Sequence, residues 1–222
     1  MKSMIKILPS TNPSKEDRLV DYVKELSDLG VEYIHCDIMD GKFVANSCLP
    51  FDLVKDIRNN VNILLDVHLM VEDPMKYAKT FATIKPSIIT IHYESDKLSK
   101  IKKIFKFLKS KDILCGLSLK PNTPIDVILP LINQLDLVLL MSVEPGKSGQ
   151  SFIENTYEKI AQVKELIKEK DIVLEVDGGV NLENIDKLKK LGVQFAVVGS
   201  AIFNSDDKKD FLIKCDKHYD TK

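Results

Sequence analysis

The sequence predicts a single (β/α)8 TIM barrel with a parallel eight-stranded core, and three observations predict it. Short β-branched or apolar runs alternate with amphipathic stretches from one end of the chain to the other, there are eight of each, and polar residues gather where several of the runs end. Eight strand and helix units in strict alternation suggest a parallel sheet closed into a barrel; an open doubly wound sheet is the structural alternative. The 222 residues suit one barrel domain over 1–222, with no low-complexity linker, Pro/Gly-rich boundary or composition shift to divide them.

Taken in order, the strand-like runs fall near residues 5–8, 32–38, 63–69, 87–92, 113–118, 136–141, 172–177 and 195–199. Helix-like stretches fall near 15–29, 51–59, 74–83, 97–110, 124–131, 153–169, 182–191 and 206–216. Asp73 before Pro74 reads as an N-cap with proline in the first turn, and Gly30 and Gly192 stand where C-caps belong. The Lys-rich stretch from Lys97 to Lys111 reads as the solvated face of a helix.

Composition narrows the function classes. Apolar residues make up 44% and charged residues 29%, enough for a sizeable core and too apolar for disorder. The net charge of -1 carries no dense basic block, so no nucleic-acid partner is expected. No apolar run approaches the roughly 20 residues of a membrane span, and the N-terminus MKSMIKILPS lacks a long apolar leader region, so no membrane association and a cytoplasmic location are expected. Cys36, Cys48, Cys115 and Cys215 show neither CxxC nor zinc-ribbon spacing, which fits a reducing compartment.

In such barrels the site forms at the C-terminal strand ends, so polar residues there are read first as functional. The second run ends in YIHCDIMDGKF, and period-2 alternation puts His35, Asp37 and Met39 on one face with Cys36 and Ile38 on the other. The third, NILLDVHLMVEDP, groups Asp66, His68 and Met70, and the seventh, IVLEVDGGV, closes on Asp177. A lone inward histidine is more often hydrogen-bonded structure than ligand, and an unpartnered inward carboxylate is costly. Four such groups, His35, Asp37, His68 and Asp177, at three strand ends reverse that balance: they are the ligand types for one divalent ion, Zn2+ first, with Fe2+, Mn2+ or Co2+ as alternatives.

Glycine-bearing turns follow the last three runs: VEPGKSGQSF, VDGGV and VVGSAIF. Each alone reads as an ordinary tight turn; together, beside a metal constellation, they point to a phosphate cradle of backbone N–H groups. Only two of the 32 basic residues are arginines, Arg18 and Arg58, both in predicted helices, so a backbone cradle is favoured over an arginine clamp. Met39, Met70 and Met141, near strand ends, are core filler by default and would here also form an apolar patch against a reacting carbon.

The segments HCDIMDGKFVAN, DVHLMVEDP, ITIHYES, GLSLKP, VEPGKSGQSF, LEVDGGV and VVGSAIF occur in an order and spacing that resemble the ribulose-phosphate 3-epimerase family over nearly the whole chain. The resemblance implies that His35, Asp37, His68 and Asp177 bind the metal and that Asp37 and Asp177 double as the acid/base pair. It also implies substrate contacts from Ser10, His68, Met39, Met70, Met141, Gly146, Lys147, Ser148, Gly149, Asp177, Gly178, Gly179, Gly199 and Ser200. His92 matches a family position and is read as structural.

Two departures stand beside the substrate. The loop that usually reads PGFGGQ is PGKSGQ, placing Lys147 and Ser148 where an aromatic residue and a glycine are usual, and the first-run region reads PSTNPSKED. The expected partner is a small-molecule ketose phosphate, with an epimerase for a six-carbon substrate such as allulose 6-phosphate as the nearest rival. A non-catalytic sugar-phosphate sensor would have no need for the acid/base set. A phosphoketose lyase or decarboxylase would be expected to show a catalytic lysine beside its aspartates, and Lys120 is the nearest. A homo-oligomer is expected on general grounds alone.

Overall fold

The computed structural model describes residues 4–221. Nine strands form one sheet: β1 (Lys6–Pro9), β2 (Tyr33–Asp40), β3 (Ser47–Cys48), β4 (Leu64–Met70), β5 (Ile88–His92), β6 (Leu114–Leu119), β7 (Leu137–Met141), β8 (Val173–Asp177) and β9 (Phe195–Val198). Their order is β1-β9-β8-β7-β6-β5-β4-β2-β3, parallel throughout except for β3, which folds back antiparallel on the end of β2. A parallel bridge between Ser10 and His35, with the Thr11 N–H donating to the His35 carbonyl at 2.9 Å, joins β1 to β2 and closes the ring. The predicted eight-stranded barrel is therefore present; β3, only two residues long, is too short for periodicity to reveal.

The crossovers carry α1 (Leu19–Asp28), α2 (Phe51–Asn60), α3 (Pro74–Phe81), α4 (Leu98–Lys109), α5 (Thr156–Leu166) and α6 (Ile185–Lys190), and α7 (Ser200–Phe203) and α8 (Lys208–Cys215) follow β9. Asp73 caps α3 by accepting from the Lys76 N–H at 3.0 Å, with Pro74 first in the helix. Gly30 and Gly192 follow α1 and α6 at φ +91° and +84°. Three helices differ from expectation. The first begins as a 3-10 turn, Glu16–Arg18. The stretch predicted at 124–131 is a 3-10 helix, Ile125–Leu131, containing Pro130, which lacks the N–H that an α-helix interior uses. The stretch predicted at 182–191 starts only at Ile185, because the Asn181 and Asn184 side chains capture the Glu183 and Asn181 N–H groups, each at 2.9 Å, in a local turn.

Outward strand residues such as Cys36, Ile38, Val67, Leu69, Leu117, Leu140 and Val176 pack against the helices in the main apolar core. The inward faces are graded. Leu8, Ile88, Leu137, Leu139 and Phe195 fill the lower barrel, with Tyr33 and Val173 packed against them. Higher up the interior turns polar: His35, Asp66, Thr90, Ser118 and Glu175 are each fully buried. A barrel interior is normally filled by branched apolar side chains, so this stock of buried polar groups marks where structure has yielded to chemistry. No helix of the described residues is long and apolar enough to cross a membrane.

The C-terminal segment is tied to β1 by Asp216 and Tyr219. The Asp216 carboxylate accepts from the Ile5 N–H at 3.3 Å, from the His218 N–H at 3.1 Å and from Lys189, while the Ile7 N–H donates to the Tyr219 hydroxyl at 3.0 Å. Burial alone would raise the Asp216 pKa, but the Lys189 ammonium and these donors pull it down to about 2 from 3.8. A depressed carboxylate pKa contributes stability that is fully present above the unfolded value and is lost as pH falls through the folded one. Asp216→Asn is therefore expected to lower Tm at neutral pH and to converge on the parent protein as pH falls from 3.8 toward 2. Calorimetric Tm curves that stay parallel across that range would show that the clasp contributes nothing through ionisation.

Candidate active site and metal centre

The strand pleat delivers the predicted set to one place. His35 and Asp37 point inward from β2, His68 from the paired position on β4, and Asp177 closes β8. Around the ring β8 and β2 are separated by β9 and β1, so the two aspartates face each other across the mouth.

His35 Nε2 lies 3.2 Å from Asp37 Oδ1 and 3.8 Å from Asp177 Oδ2; His68 Nδ1 lies 3.3 and 3.8 Å from the same two oxygens. Donors held about 2.1 Å from a tetrahedral Zn2+ stand about 3.4 Å apart, and one atom from each of the four residues lies within 4.8 Å of the others. His35 Nε2 is fully buried and makes no hydrogen bond among the described residues. A buried nitrogen that finds two carboxylates but no hydrogen bond is accounted for by a cation, so the donor set fits a divalent metal ion.

Three of the four donors are braced from behind. His35 Nδ1 meets Asp66 at 2.6 Å and Glu175 at 3.6 Å, both carboxylates fully buried. Burial first, and then the Asp66 charge, hold the Glu175 carboxyl well above the usual range, which leaves Asp66 as the acceptor for the His35 N–H. Ser10 donates to Asp37 Oδ2 at 2.8 Å. His68 Nε2 lies 2.9 Å from His92 Nε2, and His92 Nδ1 lies 3.1 Å from Glu94. Burial brings His92 down to about 4, so its ring is neutral.

The two aspartates are driven apart electrostatically. Burial would raise Asp37, but the His35 and His68 imidazoles outweigh it and hold its carboxyl well below the usual range. Asp177 is pushed up to about 6, by burial first and then by the Asp37 charge. Below about pH 6 Asp37 is ionised while Asp177 still holds its proton, so their environments separate the two carboxyls as an acid/base pair requires.

Above this floor lies a cavity of about 70 Å3 lined by Ser10, Met39, Met70, Met141, Gly146, Lys147, Ser148, Gly149, Asp177, Gly178, Gly179, Gly199 and Ser200, with Asp37 at its base. These are the predicted substrate-side residues, save one. His68 is completely buried beneath the lining, so the structure places it with the metal donors and not on the cavity wall.

The three glycine turns border the cavity together. At Gly179, with φ +64°, a Cβ would stand 2.5 Å from Phe152 N, so only glycine lets the turn after β8 pass that close to the neighbouring loop. The Ser142 hydroxyl pins the same turn by donating to the Asp177 and Gly178 carbonyls at 2.9 and 2.6 Å. Asn46 donates to the Gly146 carbonyl at 2.6 Å, tying the loop after β2 to the Lys147 loop.

Sequence reasoning missed Asn12, Glu144 and Gln150 on the cavity wall and Glu175 and Glu94 behind the donors, and it placed Asp66 on the inward face without giving it a role. Glu175 could have been found: in LEVD it shares Asp177's inward parity, and an inward glutamate in a strand needs a partner. Asn12, Glu144 and Gln150 come from irregular loops, where no periodicity fixes direction.

The model of the ribulose-phosphate 3-epimerase family matches residues 6–203. The chain belongs to that family. Among ribulose-phosphate 3-epimerases, that of Bacillus subtilis (strain 168) is 37% identical over 209 residues, covering 93% of this chain and 95% of that one. That of Helicobacter pylori (strain ATCC 700392 / 26695) is 39% identical over 207 residues, covering 92% and 94%. Solved structures share the fold at much lower identity. 3-Hexulose-6-phosphate synthase from Salmonella typhimurium superposes with a TM-score of 0.74 at 13% identity, covering 98% of this chain and 99% of that one. 3-Keto-L-gulonate-6-phosphate decarboxylase from Vibrio cholerae gives 0.73 at 13%, covering 100% of this chain and 99% of that one. That likeness is one of fold alone. Lys120, the nearest candidate for a lyase-type lysine, packs its ammonium 4.3 Å over the Phe43 ring and is not among the residues lining the epimerase-family cavity.

Proposed function

We propose that the protein interconverts D-ribulose 5-phosphate and D-xylulose 5-phosphate by proton transfer at C3, with Asp37 and Asp177 as the acid/base pair. The observation that carries this reading is the pairing of two carboxyls across the barrel mouth, one with its pKa lowered and the other raised to about 6, over two buried imidazoles. Inverting a carbon next to a ketone requires removing a proton from one face and returning one to the other, which a single base cannot do without turning the intermediate over. Two carboxyls facing each other can.

In this reading Asp37 takes the C3 proton in one direction while Asp177 delivers its own to the opposite face, and the roles exchange on reversal. Ser10 keeps the Asp37 carboxylate aimed, and Asp66 does the same for His35. Met39, Met70 and Met141 exclude water from the reacting carbon, and the glycine turns hold the phosphate at the far end of the cavity. His35, Asp37, His68 and Asp177 would hold one divalent ion, Zn2+ before Fe2+, Mn2+ or Co2+ on ligand type. Such an ion supplies Lewis-acid stabilisation of the charge that develops on the C2 and C3 oxygens.

Conversion of D-ribulose 5-phosphate to D-xylulose 5-phosphate by the purified protein tests the reading. A kcat/KM higher for a six-carbon ketose phosphate would move the assignment to that rival, which the departure of the PGKSGQ loop from the family pattern keeps open. Lys147 is exposed on the cavity wall, where its ammonium would meet the phosphate as a point charge. Lys147→Ala is expected to raise KM severalfold with kcat little changed, and an unchanged KM removes that contact.

A further inference from the structure

Buried His92 and partly buried Glu94 are a polar pair that the proposed chemistry leaves unused. The His92 ring is fully buried at the end of β5, with Nε2 facing His68 Nε2 at 2.9 Å and Nδ1 facing Glu94 Oε2 at 3.1 Å. Two imidazole nitrogens facing at that distance need one proton between them, so one ring donates and the other accepts. If His92 held that proton, neutral His68 would carry its own hydrogen on Nδ1, the atom turned toward Asp37 and Asp177, and would offer no lone pair there. If His68 holds it, Nδ1 is a free lone pair, and His92 must carry its hydrogen on Nδ1, against Glu94.

A carboxylate accepts and does not donate, so Glu94 favours the second arrangement; Asp37 Oδ1, 3.3 Å from His68 Nδ1, would favour the first, and ceases to compete when both atoms turn to a shared ion. Its other oxygen accepts from the Lys120 N–H at 2.9 Å and from the Thr123 hydroxyl. The Lys159 ammonium stiffens that loop by donating to the Lys120 and Thr123 carbonyls at 3.0 and 2.8 Å. The Phe43 ring covers His92 with centroids 5.0 Å apart.

We propose that Glu94, acting through His92, sets the tautomer of His68 and thereby presents the His68 Nδ1 lone pair to the divalent ion; both are positioning residues. The inference rests on the metal site proposed above. It gives the two histidine donors different braces: His35 is oriented by a carboxylate directly, His68 by a carboxylate acting through a second imidazole.

Glu94→Gln tests this with little change of shape. The Lys120 N–H can only donate, so the glutamine oxygen stays with it and the amide NH2 turns to His92 Nδ1, which must then accept. The proton order along both rings inverts and a hydrogen arrives on His68 Nδ1. The expected result is Zn2+ binding weakened about ten- to a hundredfold in a chelator competition, the range seen when outer partners of metal ligands are lost, with the far-UV spectrum unchanged. Zn2+ binding as tight as the parent's overturns the inference while leaving the metal site standing; absence of Zn2+ binding by the parent protein overturns both. Should the variant not fold, 15N NMR of the Zn2+-loaded parent decides: His92 protonated at Nδ1 and His68 at Nε2 is expected, and His92 protonated at Nε2 overturns the inference.

Discussion

Asp37→Asn and Asp177→Asn are each expected to abolish epimerisation while leaving the barrel folded. An amide of the same shape cannot exchange a proton at neutral pH, and the inversion needs a proton moved on each face. Loss of one general acid or base alone removes about 10^2- to 10^4-fold in rate, and here each residue is also read as a metal donor, so the combined loss should sit at or beyond the upper end. The folded state should tolerate the change: Asp177→Asn removes a group whose charged form is already disfavoured by burial and by Asp37. Steady-state kcat, with circular dichroism as the control for folding, checks both variants. Substantial turnover by either would take that aspartate out of the acid/base pair.

His35→Ala and His68→Ala are expected to lose metal and activity together. Replacing partners that merely orient a metal ligand costs about 10- to 100-fold in affinity, and removing a ligand itself should reach or exceed the upper figure. The two variants should differ in stability. His35 is the group between the Asp37 carboxylate and the buried Asp66–Glu175 pair, so deleting it leaves buried carboxyls without their counter-charge. His68→Ala leaves the His92 ring unpaired and removes one of the two imidazoles beside Asp37, while His35 stays between Asp37 and the Asp66–Glu175 pair. Metal content of the purified variants, measured with kcat and Tm, checks this, and full metal occupancy in either would remove that histidine from the donor set.

The barrel was legible because its signals are periodic. Eight runs of inward and outward alternation put Cys36 and Ile38 under the helices and His35 and Asp37 inside, and one residue of slip would have reversed all four. The site was legible for the same reason: strand parity aims His35, Asp37, His68 and Asp177 at one point, although they are distant in sequence. Parity fails where the backbone is irregular. Nothing in PSTNP aims Asn12 at the cavity; the Thr11–His35 closure of the ring and the Asn12 N–H bond to the Ser10 hydroxyl at 3.0 Å put it there. The role of His92 was hidden for another reason. Its inward parity was readable, but a ring that meets another ring nitrogen-to-nitrogen is a relation between two strands, and periodicity within one strand cannot show it.

The central claim is that a metal-braced pair of aspartates moves the proton at C3, and the most direct measurement follows that proton. D-ribulose 5-phosphate incubated with the protein in deuterium oxide should show deuterium wash-in at C3 together with formation of D-xylulose 5-phosphate by NMR. Prior chelation should abolish both, and added divalent ion should restore both. No exchange with metal-replete protein, or exchange indifferent to chelation, would contradict the account.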